Sequence, residues 1–157
     1  MSALEDRLYD YLLPCLHVTE DRLIEAHADV PRPVKSYVDF HVISDAVVGV
    51  SNRTVDEDGM LPIDHVKTLV VQLNFYGKDS KEEADLFLLK LEMESTLVRG
   101  ELLNFGLLSY TTPVDSSTEI AKTWERRQSV RLTLSHTAFI LDDVGLIEHV
   151  EIDGDFN

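Results

Sequence analysis

The chain has 157 residues, of which 44% are hydrophobic, with seven glycines and five prolines, so it can bury one core of ordinary domain size. Asp and Glu number 29 against 14 Lys and Arg, which gives a formal net charge of −15. A surface this acidic repels phosphates and anionic headgroups, which argues against a conventional nucleic-acid reader and against a membrane-surface protein. We expect a single domain over residues 1–157.

The single cysteine, Cys15, excludes an internal disulfide framework and a cysteine-rich zinc module. We predict that it is a small buried side chain near the end of the first helix. No apolar run approaches the length of a membrane span, and the acidic N-terminal residues have no signal-peptide pattern. These features predict a soluble protein made inside the cell.

A capped helix is predicted at the N-terminus. Ser2 and Glu5 have the spacing of a capping box, and Pro14 should end the helix. A connector follows, with a strand or a short helical turn near residues 22–26. The helix has one apolar stripe, formed by Leu4, Leu8, Tyr11 and Leu12.

Two strands separated by a long loop come next. Apolar residues at 38, 40 and 42 alternate with Asp39 and His41, which indicates a half-buried strand with these two polar residues on its outer side. Residues 51–62 are rich in Asp, Gly and Pro, so we expect a mobile loop or an extended hairpin arm, within a loop at about 45–64. Residues 66–76 alternate regularly and predict a long central strand.

The longest helix is predicted after a turn at residues 77–79. Ser80 and Glu83 have the spacing of a second capping box, and Gly100 suits the C-cap. The stripe predicted to face the core consists of Leu86, Leu89, Met93 and Leu97, widened by Phe87, Leu88 and Leu91.

The last third predicts strands. Residues 105–110 are a short apolar strand, residues 111–118 a polar loop, and residues 124–139 a long strand with Val130, Leu132 and Leu134 on one face. Residues 142–145 predict a tight turn before a closing strand at 146–152. The order of elements predicts an α+β fold, an antiparallel or mixed β-sheet with helices packed on one face.

No catalytic or cofactor motif is recognisable in the sequence. The histidines form no metal-binding motif, although a metal pair built from His41 and His136 on adjacent strands remains an alternative. The seven glycines are scattered and form no phosphate loop. We therefore expect no cofactor, no metal and no enzymatic activity, and a binding or structural role instead.

The acidic run Asp56, Glu57 and Asp58 lies directly before Gly59. A calcium loop with this glycine in sixth place would have Thr54 first and His65 last, where calcium loops need carboxylates. The run is therefore predicted to be a solvated acidic loop.

Three segments together resemble the neck and tail terminator proteins of tailed bacteriophages. They are the Pro-Arg-Pro stretch at 31–33 leading into the strand at 37–42, the strand and Tyr-Gly turn at 70–77 before a capped helix, and residues 124–134 with the final strand at 146–152. The resemblance covers nearly the whole chain.

The resemblance implies a structural virion protein, a ring subunit, usually one of six, that caps the head-proximal end of the tail tube and joins it to the neck. The implied partners are identical subunits, the tail tube protein, neck or connector proteins and the tail sheath, with DNA passing nearby in the channel and no membrane. The implied location is the virion, after synthesis in the bacterial host cytoplasm. Proteins of this family have no catalytic residues and no cofactor.

Candidate residues for contacts between subunits are aromatic, His and Arg residues left over once the core is filled. Trp124 suits a core position and an interface position equally. Of the adjacent Arg126 and Arg127, we expect one to bind within the subunit and the other to reach a neighbour. The acidic residues Asp56, Glu57 and Asp58 are candidates for a lumen-facing or docking loop. The complete interface set is Tyr37, His41, Tyr76, Phe105, Trp124, Arg126 and Arg127.

Three other classes of function remain alternatives to the terminator ring. They are another neck component (a stopper or head–tail connector), a small enzyme, and an acidic protein that mimics nucleic acid.

Overall fold

The computed structural model describes residues 2–34, 36–49 and 55–143 and has the predicted α+β fold, in which helices pack on one face of a sheet. In these ranges the α-helices are α1 (Ala3–Leu12), α2 (Ser80–Leu91) and α3 (Glu94–Leu103). The strands are β1 (Leu23–Glu25), β2 (Tyr37–Val47), β3 (Met60–Tyr76), β4 (Gly106–Tyr110), β5 (Val114–Asp115), β6 (Thr118–Ile120), β7 (Thr123–Glu125) and β8 (Arg127–Asp143).

The main sheet is mixed, as the sequence predicted. Its strand order is β1-β2-β3-β8-β4, with β5 paired beside β4 on the outer edge of β8. Among the described residues only the β1–β2 pair is parallel and the other pairs are antiparallel, and β6 and β7 form a separate two-stranded sheet. No helix among the described residues is long and apolar enough to cross a membrane.

The N-terminal helix has the predicted cap and end. Ser2 Oγ accepts from the Glu5 amide, and the Glu5 carboxylate accepts from the Ser2 amide at 2.6 Å, which completes the capping box. Pro14 lies in a 3₁₀ turn directly after α1, and Cys15 in the same turn is buried, also as predicted. The 3₁₀ turn Glu20–Arg22 and β1 then occupy the region where a turn or strand was expected.

The core lies between the helices and one face of the sheet. Alternation in β3 places Leu69, Val71, Leu73 and Phe75 on this face, and all four are at most 1% exposed. The matching face of β8 contributes Val130, Leu132 and Leu134, so the predicted alternation of both strands is confirmed.

The helical region differs from the prediction of one capped helix with a core stripe at Leu86, Leu89, Met93 and Leu97. Asp79 is the N-cap of α2 and makes no side-chain cap bond, while Ser80 is buried in the first turn, so no second capping box forms. The chain bends at Glu92 and Met93, and α3 begins at Glu94. The four predicted stripe residues are 42–67% exposed. The residues that face the core are Phe87, Leu88 and Leu91, which the prediction included as the widening of the stripe, together with Ala84.

The reason is that this segment has two apolar stripes with the same helical spacing. Spacing alone cannot choose between them, whereas packing can. Small Ala84 permits close approach to the sheet, and Phe87 packs against Phe75 with ring centroids 5.5 Å apart.

Gly100 lies inside α3 and is not its C-cap. The cap is Asn104, whose φ of 63° lets the Phe105 amide donate to the Gly100 carbonyl at 2.7 Å. Gly100 is buried where α3 approaches α1: a Cβ there would lie 2.7 Å from Phe105 O and 3.3 Å from Tyr11 Cε2. Glycine is therefore required at this position by the close packing of α3 against α1, and not by the end of the helix.

The C-terminal strands also differ from the prediction. The single strand expected at 124–139 is divided at Arg126, because β7 pairs with β6 rather than joining β8. Asp142 and Asp143 are paired with β3 inside β8, so they are not part of a tight turn. The closing strand predicted at 146–152 lies outside the described residues.

The loop expected at about 45–64 is shorter than that range, because β2 extends to Val47 and β3 begins at Met60. These strands pair with each other and with β8, which corresponds to the alternative of an extended hairpin arm. Seventeen residues of β3 span about 56 Å, whereas a 12-residue helix spans about 18 Å. The helices therefore cover only one end of the long strands, and the other end forms the arm.

We predict that Gly100→Ala destabilises the protein. Overpacking against the Phe105 carbonyl and the Tyr11 ring should cost about 1–3 kcal/mol, more than the roughly 1 kcal/mol that alanine contributes through helix propensity. Urea denaturation measures the difference. Ser95→Ala, at an exposed position of the same helix, is the control and should be near neutral. A Gly100→Ala variant at least as stable as the wild type would contradict this packing.

Candidate functional site

The sheet face opposite the helices carries a polar network centred on Asp39. Asp39 is 5% exposed, and its two carboxylate oxygens accept from Asn74 Nδ2 at 2.7 Å and from Tyr76 Oη at 3.0 Å. Asn74 Oδ1 in turn accepts from Ser129 Oγ at 2.7 Å. The expectation that Asp39 faces solvent is thus wrong: both of its oxygens are hydrogen-bonded inside the protein, which makes its burial tolerable.

Two of the predicted interface residues, Tyr37 and Tyr76, belong to this buried layer. Their rings stack across β2 and β3 with centroids 4.3 Å apart, and the two residues are only 6% and 5% exposed. They therefore offer little side-chain surface to a neighbour. Burial raises the pKa of Tyr76 to about 12, with the negative charge of Asp39 adding to the effect and Arg127 opposing it.

Arg126 and Arg127 have different surroundings. Arg127 Nε donates to the Ser116 carbonyl at 3.2 Å, and its guanidinium lies 5.8 Å from the Tyr76 ring centroid, so Arg127 binds within the subunit. Arg126 is exposed and has no ion pair with any described residue. Its charge acts on Asp115, whose pKa is lowered first by hydrogen bonds from Ser117 and then by Arg126.

Trp124 lies on a projecting hairpin made by β6 and β7, which we call the Trp124 hairpin. Its turn residues, Ala121 and Lys122, have φ values of 48° and 66°, which non-glycine residues rarely adopt. Trp124 is 64% exposed, so of the two roles weighed for it the structure excludes burial in the subunit core. Positive φ at both positions is what a two-residue hairpin turn needs to match the twist of its strands, so the turn holds Trp124 on a defined strand.

Two adjoining clefts flank Trp124. The first, of about 370 Å³, lies over the stacked tyrosines, and the second, of about 500 Å³, opens toward the start of α2. Trp124, Arg126 and Lys78 line both. The structure thus brings Tyr37, Tyr76, Trp124 and Arg126 together at one end of the sheet.

The remaining interface candidates lie elsewhere. Phe105 is 5% exposed and packs against Tyr11 at 5.6 Å between ring centroids, so it is a core residue and not an interface residue. His41 is half-buried against His27, with ring centroids 5.3 Å apart. These two residues are separate from the Trp124 hairpin.

The alternative of a metal pair at His41 and His136 fails on geometry. β3 lies between their strands, and His41 is level with Arg131, five residues from His136 along β8. His136 is instead hydrogen-bonded to Asp45 at 2.7 Å, and Lys67 holds the other oxygen of Asp45 at 2.9 Å. No group of three or more potential metal ligands occurs among the described residues.

The acidic run at the arm has more order than a solvated loop. Asp56 Oδ1 accepts from the backbone amides of Asp58 and Met60 at 3.0 and 2.9 Å, which forms a tight turn. Glu57 and Asp58 are exposed on this turn. Asp56 therefore supports the turn, whereas Glu57 and Asp58 are free to act through their charge.

A second exposed surface was missed by the sequence analysis because it was assigned to the core. We call it the helix face. It consists of apolar residues of α2, α3 and the bend between them, all 42–82% exposed: Leu86, Leu89, Met93, Leu97, Val98 and Leu102. The feature of the sequence that indicates this surface is the second apolar stripe of the same segment.

A family profile described as phage neck terminator protein matches residues 2–157. The chain is therefore a structural protein of the phage neck and tail, and its place is in the virion. It belongs to the phage neck terminator protein family, which confirms the resemblance found in the sequence and fits the expectation that the chain is not an enzyme. The comparison with curated proteins gives no match.

We predict that Tyr76→Phe lowers stability by about 1.5–3 kcal/mol, because a buried carboxylate loses one of its two hydrogen-bond donors. The Tyr76 pKa is raised from 10.0 to about 12, so its contribution is complete below pH 10 and is lost as the pH rises toward 12. The variant should therefore also show a weaker loss of stability above pH 10.

Denaturant titrations between pH 7 and pH 12 measure both effects. Tyr110→Phe is the control, because the Tyr110 side chain is partly exposed and makes no hydrogen bond with the described residues. Equal stability and an equal pH slope in Tyr76→Phe and the wild type would show that the Asp39 network is not as described.

Proposed function

We propose that this protein forms a closed ring, of six copies, that caps the head-proximal end of the tail tube and joins it to the neck. The observation that carries the proposal is the match of the neck terminator family to residues 2–157. The resemblance of residues 31–42, 70–77 and 124–134 to tail terminators points to the same position. The function is carried by contact surfaces, with no cofactor.

The distribution of exposed groups supports a ring. Subunits of a ring meet through two different patches, because each subunit contacts a neighbour on either side. The Trp124 hairpin and the helix face are two such patches, and they differ in shape and in charge. The partners beyond the ring are the tail tube protein, a neck or connector protein and, in a contractile tail, the sheath, after synthesis in the host cytoplasm.

The arm supplies a candidate for contacts along the tail axis or in the channel. It projects beyond the helices and ends at the turn that displays Glu57 and Asp58. A charge of −15 on each of six copies gives the ring about −90, which favours free passage of DNA because its phosphates are repelled from the wall. We place Glu57 and Asp58 at the channel.

We predict six copies of this chain per tail, arranged as one ring at the head-proximal end. Cryo-electron microscopy of intact particles gives the position, and the mass of isolated tails gives the copy number. A ring located between the head and a separate tail-capping ring would instead indicate a stopper or connector. A single copy per particle would exclude a ring.

We predict that Glu57→Lys combined with Asp58→Lys slows DNA ejection, because lysines at the channel would attract phosphates. Asp56 is left unchanged, since it holds the turn. The control carries the same change of charge at Asp10 and Asp29, two exposed acids far from the turn in sequence. Ejection kinetics equal to the control would show that this turn does not line the channel.

A further inference from the structure

The helix face is an exposed apolar surface on the outer side of the subunit. Six large apolar residues on two consecutive helices are each at least 42% exposed, and Leu89 and Leu102 reach 67% and 82%. Single exposed apolar residues are normal, but a group of this size on one surface marks a contact with another protein. The core of the subunit does not use it, since α2 and α3 pack inward through other residues.

The rim of the helix face is acidic. Exposed carboxylates surround the apolar residues, and the one exposed cation there, Lys81, is already paired with Asp85 at 3.3 Å. Two helix faces meeting each other would place these charges together, which disfavours a symmetric dimer through this surface. The acidic rim consists of Glu82, Asp85, Glu92, Glu94 and Glu101.

Cations are concentrated around Trp124. Among the described residues six Lys or Arg residues are exposed, and four of them line the clefts beside Trp124 or lie on its hairpin. Of these four, Lys78, Lys122 and Arg126 have no ion pair with a described residue. Four acids share this region: Glu125 lines the first cleft, Glu82 and Asp115 line the second, and Glu119 is the cross-strand neighbour of Trp124. The cations balance these acids, so in a chain with a net charge of −15 the surroundings of the exposed tryptophan are close to neutral.

The two surfaces adjoin at the start of α2, where Lys81 and Glu82 line the second cleft beside Trp124, but the other end of the helix face is far from the hairpin. α3 ends beside β4, and Gly106 of β4 is paired through Ser135 to Thr68 of β3. The Trp124 hairpin leads into Arg127, which is paired with Tyr76, eight residues further along β3 and about 26 Å away. A subunit can therefore present one surface to each of two neighbours.

We infer that the Trp124 hairpin of one subunit docks on the helix face of the next, with Lys122 and Arg126 against its acidic rim. Trp124 would lie among Leu89, Met93 and Leu97, where the thioether of methionine suits an aromatic ring. This inference rests on the proposed ring and specifies its repeated contact. The argument for a second copy as the occupant is that an exposed tryptophan, flanked by two cations without ion pairs to described residues, matches an apolar face rimmed by carboxylates.

The test uses two exposed substitutions and the fact that Trp124 is the one tryptophan of the chain. Leu89→Asp places a charge in the helix face and leaves the Trp124 hairpin intact. Trp124→Asp removes the tryptophan from the hairpin and leaves the helix face intact. The second variant has no indole fluorescence. Each variant alone should remain monomeric in native mass spectrometry at concentrations where the wild type assembles. Mixed together, they should form a one-to-one dimer and nothing larger.

Fluorescence reports directly on the contact, because the only indole in the mixture belongs to the Leu89→Asp variant. Adding Trp124→Asp should shift its emission to shorter wavelength and reduce quenching by acrylamide. The matched control adds the double variant Trp124→Asp, Leu89→Asp instead. This variant also has no indole fluorescence, but its helix face is disrupted, so its addition should cause no shift in emission. Leu108→Asp, at an apolar position on β4 that is 58% exposed, should assemble like the wild type.

No shift and no dimer up to the solubility limit, or continued self-assembly of either single variant, would overturn the inference. A shift with the double variant would overturn it too, because the covering surface would then not be the helix face. If tails contain six copies but the two variants do not bind each other, the ring proposal stands and this inference fails. If the variants bind each other but tails contain no ring, only the ring proposal fails.

Discussion

A mismatch of lengths governs this fold. β3 extends over seventeen residues and pairs with β8 along its whole length, whereas each helix has at most twelve residues with a much shorter rise per residue. The helices can bury only the end of the sheet that carries Leu69 to Phe75. At the boundary Asp45 binds both His136 and Lys67, and beyond it the strands continue as an arm. The buried core, the polar boundary at Asp45 and the arm are thus all consequences of the length of β3.

The opposite face of the same strand explains how the Trp124 hairpin is positioned. Side chains at even-numbered positions of β3 form hydrogen bonds with Asp39 of β2 on one side and with Ser129 of β8 on the other. These bonds hold the three strands side by side. Arg127 extends this network to Ser116 and lies over the Tyr76 ring. With Arg127 held internally, the neighbouring Arg126 and Trp124 point away from the network and remain available. A buried polar network of this kind fixes geometry more than it adds net stability.

Membership of the neck terminator family gives these surfaces their biological setting. A neck protein works by holding neighbours at fixed positions, so its informative residues are exposed apolar and charged groups rather than catalytic ones. Of the two surfaces described above, the helix face has an acidic rim, whereas acids and cations are balanced around Trp124. Such asymmetry favours head-to-tail contacts over symmetric pairs, and a head-to-tail contact closes a ring only when the rotation between subunits allows it.

The sequence by itself determined the local features that short-range physics controls. The capping box at Ser2, the stop at Pro14 and the alternation of β3 and β8 depend on neighbours within a few residues, and all were predictable. Tertiary structure alone decided which of two equal apolar stripes in α2 faces the core, because that choice depends on the fit of Ala84 and Phe87 against the sheet. It likewise decided that Asp39 is buried and Trp124 exposed, since the partners of Asp39 and the pairing of β7 with β6 come from residues far along the chain.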